Sequence, residues 1–194
     1  MVKNTDKREH LVETAQKLFY QQGIRGTGID TVLAVSGVSK RTLYKYFKSK
    51  DELVIAALQR RDHEFMDMMK KGISHFEEQQ QGDTRMKKIL AYFDAVEDWI
   101  ASDRFFGCMF INASAEFPRP SDPVHVVCAN HKLRIIQLIE QLISEMDFDD
   151  PHTIAVQLAL VTDGAIVNAH TTNIQNAAKV AKTTARMLLL TYEK

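Results

Sequence analysis

Residues 27–53 read TGIDTVLAVSGVSKRTLYKYFKSKDEL, two short apolar-periodic segments hinged on Ser36-Gly37. In the first, Ile29, Val32 and Leu33 recur at helical spacing, with Thr27 as the expected cap and Asp30 in the opening turn. In the second, Ser39 is a cap and Leu43 and Phe47 lie one helical turn apart, so Lys40, Arg41, Tyr44, Lys45 and Lys48 point elsewhere. Packing Val38 and Leu43 against Ile29 and Val32 fixes the free side of the second helix, which carries Lys40, Arg41, Tyr44 and Lys45. A tight, glycine-turned helix pair with such a cationic side has the anatomy of a helix-turn-helix, whose second helix enters the major groove of DNA.

Outward from this stretch the pattern stays helical. Upstream, Leu11, Ala15, Leu18 and Phe19 form one stripe of a helix expected from Asp6, its N-cap, to Gln22, closed by Gly23. Downstream, Ser49 and Glu52 form a capping box that opens a long helix toward Phe76. Further helices are expected from Asp83 to Ser102, then to Phe117, then from the Pro118–Pro123 break to Met146. The last two run from an Asp150 cap with Pro151 in the first turn to His170, and from an Asn173 cap to Tyr192. Alternating apolar patterns are nearly absent. The expected class is all-α: an N-terminal three-helix helix-turn-helix domain over 1–48, then a second helical domain over 49–194.

Net charge is zero, but its distribution is not even. Residues 1–61 hold 12 Lys and Arg against 6 Asp and Glu, whereas 62–194 hold 13 against 19. The basic segment is the one with the helix-turn-helix, and the acidic remainder would repel DNA and orient the basic end toward it. Two cysteines are too few for a disulfide framework and are expected as thiols. A polar start and the absence of an 18-residue apolar run give a cytoplasmic expectation. No phosphate-binding glycine loop, nucleophile elbow or zinc-helix motif supports an enzyme, and no cofactor or metal is implied. His63 and Asp67 stand four apart without a third ligand.

The stretch 27–53 resembles the DNA-binding domain of the tetracycline-repressor (TetR) family at Thr27, Ile29, Gly37, Val38, Ser39, Leu43, Tyr44, Phe47, Lys50 and Leu53, and Ala15, Phe19 and Gly23 match its first helix. The resemblance implies phosphate contacts from Thr27, Tyr44, Lys45 and Lys50, base contacts from Lys40 and Arg41, and a thymine-methyl contact from Thr42. Two positions depart from the family pattern: Leu33 replaces a usual alanine, and Arg41 a usual small residue, so Arg41 either extends base contact or clamps the backbone.

Beyond the motif, 65–117 is dense in Phe, Met and Trp, which suits a core or an adaptable apolar pocket. The resemblance favours a pocket lined by Trp99, Phe106, Cys108, Phe110, Asn112 and His131, for an apolar or electrophilic effector. Cys108 is either a thiol sensor, as in some members, or a buried inert cysteine. The small residues of the helices at 151–170 and 173–192 suit close helix packing; the resemblance implies that they form a homodimer contact, the alternative being packing within one subunit, and a two-fold dimer reads a palindromic operator. The expected function is repression relieved by an inducer; the alternative is a ligand-independent global or architectural regulator or activator of the same fold.

Overall fold

Caps and glycines set the boundaries of the first four helices. In the structure, a computed structural model that describes residues 4–81, 84–174 and 176–192, α1 (Asn4–Gln22) stops where Gly23 adopts φ +79° and its N–H bonds Phe19 O at 3.0 Å. α2 (Ile29–Ser36) ends alike at Gly37, φ +66°, whose N–H bonds Leu33 O. α3 (Lys40–Tyr46) starts at Ser39, whose Oγ accepts the Thr42 N–H at 3.2 Å. Ser49 caps α4 (Lys50–Glu77) by accepting the Glu52 N–H, while the Glu52 carboxylate accepts the Lys48 N–H at 2.7 Å. The capping box therefore closes one residue earlier than its usual form, in which the glutamate reaches the cap residue itself.

Several expected boundaries are corrected. Thr27 does not cap α2: Gly28 precedes that helix, without a side-chain cap, and Thr27 is wholly buried. Its hydroxyl donates to Gly23 O at 2.8 Å and its N–H bonds Ile24 O at 3.3 Å, so it stitches the α1–α2 turn. α1 begins two residues before Asp6, whose side chain lies outside the described residues, as does Asp83. Asn173 closes α8 (Pro151–Thr172) in the left-handed region at φ 55°, which asparagine tolerates, and α9 begins later as Ala177–Tyr192. The Asp150 cap stands as expected, its carboxylate accepting the Thr153 N–H at 3.0 Å. Between these lie a 3₁₀ turn at Thr84–Met86, α5 (Lys87–Ala101), α6 (Met109–Glu116) and α7 (Pro123–Leu142), which ends four residues before the expected Met146. Among the described residues there is no strand.

The chain forms two compact units, one of residues 1–65 with 109–131, the other of 66–108 with 132–194. The first is built on Leu11, Ala15, Phe19, Val32, Leu43, Phe47, Leu53 and Leu58, all at most 3% exposed. Each large member contributes about 1.5–3 kcal/mol by leaving water. In the second unit Ile89, Phe93, Ile139, Ile143, Ile154, Leu158 and Leu189 are buried, and Ala155, Ala159, Ala177, Ala178, Ala181 and Ala185 line the buried sides of α8 and α9. Gly72 of α4 lies so near Ala95 of α5 that a Cβ there would sit 2.8 Å from the alanine methyl.

Candidate nucleic-acid interface

Burial of Leu43 and Phe47 turns one side of α3 inward and leaves Lys40, Arg41, Tyr44, Lys45 and Lys48 exposed. This is the free side expected from the sequence. Lys40 Nζ lies 3.8 Å from the Asp30 carboxylate, with both side chains mostly in water, so the pair holds the lysine weakly. Lys45 Nζ stands 5.9 Å from the Tyr46 ring centre. Thr42 is half-buried, its hydroxyl 2.9 Å from Ser39 Oγ. Tyr44 is 47% exposed, unusual for a large aromatic in so small a helix.

Two residues expected on phosphates bond to the α1–α2 turn. Thr27 is interior. Lys50 Nζ donates to Ile24 O at 2.5 Å and lies 5.9 Å from the Phe19 ring centre, so its ammonium braces the turn from the start of α4. Two further contacts hold the reader in place. The His10 imidazole meets Ser36 O at 3.0 Å; a carbonyl only accepts, so Nε2 carries the proton, tying α1 to the end of α2. The Arg8 guanidinium lies 5.2 Å above the Phe47 ring.

Sequence reasoning missed Glu116, the last residue of α6. Its carboxylate accepts the Ile24 N–H at 2.9 Å and the Arg25 N–H at 2.6 Å, and its carbonyl accepts Arg25 Nη2 at 2.6 Å. Nothing in the sequence marks it: a lone glutamate ahead of Phe117-Pro118 reads as an ordinary helix end.

The residues expected to line a pocket are divided between the units. In the second, Trp99 is buried and meets Phe105 edge-on at 5.1 Å, and Phe105 meets His170 at 6.2 Å. Phe106 is half-buried, and Cys108 is a buried thiol following Gly107. Burial drives the Tyr92 phenol of this unit above its ordinary titration range, against the opposing pull of its hydrogen bond with Thr162. In the first unit Phe110 stacks on His131 at 3.5 Å and 11°, His131 Nδ1 lies 2.7 Å from the Asp62 carboxylate, and Asn112 is exposed. On α8 and α9, Leu160, Val167, Val180, Met187 and Leu190 are exposed, and Val180 lines a groove of about 310 Å³ together with Gly164, Ala165, Ala177 and Ala181.

Residues 11–57, from α1 into α4, match the TetR_N profile, described as bacterial regulatory proteins of the tetR family. Over 180 residues the chain is 26% identical to the HTH-type transcriptional regulator YjdC of Escherichia coli K12, covering 91% of this chain and 92% of YjdC. Residues 11–57 of this chain thus carry the TetR-family signature. A TetR-family transcriptional regulator of Streptomyces coelicolor superposes with a TM-score of 0.84 at 25% identity, covering 98% of this chain and 97% of that one. The HTH-type transcriptional repressor NemR of Escherichia coli is 26% identical over 141 residues, 70% of this chain and 66% of NemR, and its reduced form superposes with a TM-score of 0.79. This protein is thus a DNA-binding transcriptional regulator and not an enzyme. All seven residues expected at DNA lie within the matched segment of this regulator, whereas Glu116 lies far outside it.

Proposed function

We infer that this TetR-family regulator is a homodimeric repressor that grips a palindromic operator with the α3 sides of both copies. The observation that carries this reading is the exposed side of Lys40, Arg41, Tyr44 and Lys45, held rigid by the buried Leu43 and Phe47. Lys40 and Arg41, at the start of α3, are assigned to base edges, and Tyr44 and Lys45 to phosphates. Thr42, half-buried at the edge of this side, is assigned to a thymine methyl. Thr27 and Lys50 are reassigned to shaping the turn, since their polar groups already hold Gly23 and Ile24.

Exposed apolar side chains on α8 and α9 support a two-fold contact, which sets half-sites about 34–36 Å apart or a multiple of that. The names of NemR and of DhaR, a relative 28% identical over 120 residues, support repression. The effector is an apolar or electrophilic small molecule acting at Trp99, Phe106 and Cys108 of the second unit, a reading supported by the Trp99–Phe105 edge contact and the buried Cys108 thiol of that unit. It lowers operator affinity by the ratio of its affinities for the two conformations of the dimer.

Footprinting on the DNA upstream of its own gene, with and without a panel of apolar drugs, quinones and hypochlorite, tests the reading. The expected result is a symmetric footprint that one effector class erases. An asymmetric or sequence-indifferent footprint overturns the DNA assignment, and a footprint that survives every effector while the promoter is activated favours the ligand-independent activator. Cys108→Ser separates the chemistries: abolished response to quinones with retained response to drugs places electrophile sensing on the thiol, and unchanged response removes it.

A further inference from the structure

The turn joining α1 to α2 is where the DNA reader is anchored, and its anchor comes from far along the chain. The left-handed break at Gly23 stops the helical ladder, leaving the Ile24 and Arg25 N–H groups without an acceptor in α1. Both donate to one carboxylate, that of Glu116, at 2.9 and 2.6 Å, and the Arg25 guanidinium returns a bond to the Glu116 carbonyl. Charge-assisted bonds of this kind are roughly twice as strong as neutral ones. The other side of the same turn is held by Thr27 Oγ1 on Gly23 O and Lys50 Nζ on Ile24 O. Ile24, whose N–H and carbonyl are both taken, is 2% exposed.

The electrostatics make this placement notable. A carboxylate held against a basic DNA-binding segment opposes the approach of DNA, so it weakens binding unless its geometry compensates. The geometry does so through α2. That helix is eight residues long, begins five residues after Ile24 and passes directly into the Gly37 turn and α3. A shift at its first turn is therefore carried to the reading helix as a change of angle.

We propose that Glu116 is a positioning residue for sequence reading: its carboxylate fixes the α1–α2 turn and through it the angle at which α3 meets the groove. This rests on the helix-turn-helix being the DNA reader, and the two ideas fail separately. Charge and position predict opposite signs when the carboxylate is removed. Loss of a negative charge alone tightens every DNA, whereas loss of position weakens only the preferred sequence.

The test begins by selecting the tightest duplex from a random library with the wild-type protein. Affinities of wild type, Glu116→Ala and Glu116→Gln are then measured for that duplex and a scrambled one at a single salt concentration, with folded fraction fixed by circular dichroism. Glu116→Ala is expected to lose about ten-fold or more on the selected duplex, the scale of losing bonds to a charged acceptor. Binding to the scrambled duplex is expected to stay level or tighten. Glu116→Gln, which retains one acceptor oxygen, is expected to fall between, and it carries the test if the alanine variant does not fold. Equal losses on both duplexes, or an unchanged ratio in either folded variant, overturn the proposal. A wild-type selection that converges on no sequence overturns the underlying DNA reading instead.

Discussion

Gly107 offers a quantitative check on how the segment before α6 is packed. Its φ of +80° is left-handed, and a Cβ there would lie 3.0 Å from both Cγ and Nδ1 of the His170 imidazole and 3.3 Å from Cδ2. Two separable penalties follow for Gly107→Ala. The backbone part is about 1–2 kcal/mol, the ordinary cost of a non-glycine residue in this region. The steric part is about 1–3 kcal/mol, as in other overpacked sites, with the lower end favoured because His170 is exposed and its ring can swing away. Gly37→Ala is the natural reference: φ is +66° but nothing lies within 4 Å of the added methyl, so only the backbone part applies. His170→Ala removes the obstacle and the edge contact on Phe105. In that background Gly107→Ala is expected to destabilise by the backbone part alone, giving a compensating coupling of about 1 kcal/mol or more. Urea unfolding followed by the fluorescence of Trp99, the chain's single tryptophan, reports this unit, since Trp99 packs on Phe105; circular dichroism serves for Gly37→Ala. Equal penalties for Gly107→Ala with and without His170, or a Gly37→Ala penalty as large as that of Gly107→Ala, would refute the reasoning.

Three further outcomes are expected. Lys45→Ala should weaken specific and scrambled DNA alike and reduce the salt dependence of log K by about 0.9 for each phosphate the lysine neutralises; Arg41→Ala should instead erode sequence preference by about 1–3 kcal/mol, both read by fluorescence anisotropy across a salt series. Leu160 is 66% exposed on α8, so Leu160→Glu should leave the monomer fold and its melting temperature nearly intact while sedimentation shows dissociation and operator binding is abolished; a persisting dimer would remove this side of α8 from the interface. Because burial favours the neutral phenol of Tyr92 and raises its titration point, its contribution to stability is complete below the ordinary value of 10.0 and declines as pH rises beyond it. Urea midpoints between about pH 8 and 11 should fall more steeply in wild type than in Tyr92→Phe.

Much of the DNA reader was legible because its signals are local. Ser39, Gly37 and Gly23 act through bonds to residues three or four positions away, and Leu43 with Phe47 fixes a helix side by spacing alone. Legibility failed where one residue type serves two structural roles. Thr27 has the composition of a cap, yet burial turns its hydroxyl back onto Gly23; Asn173 suits a helix start, but its tolerance of positive φ makes it a better stop. The aromatic residues at 99–131 fare differently again. Their density was visible, whereas their partition into an edge-to-face group around Phe105 and a stacked pair at Phe110 and His131 depends on which unit each helix joins, and that is a property of long-range packing.

The α1–α2 turn shows the limit most clearly. Gly23, Thr27, Lys50 and Glu116 converge there, and only the first three lie within the segment that identifies the family. Each of the four looks ordinary in sequence: a helix stop, a cap, a basic residue beside DNA, a helix end. Their common role emerges from accounting for the backbone groups that Gly23 strands, since a buried N–H or carbonyl without a partner costs about 1–3 kcal/mol. Lys50 illustrates the consequence. An ammonium has three donors, so its bond to Ile24 O leaves capacity for a phosphate, but the bond fixes where that phosphate would have to be. Any contact Lys50 makes with DNA is then subordinate to the turn, and the position of the turn is in part set by Glu116, 92 residues beyond Ile24.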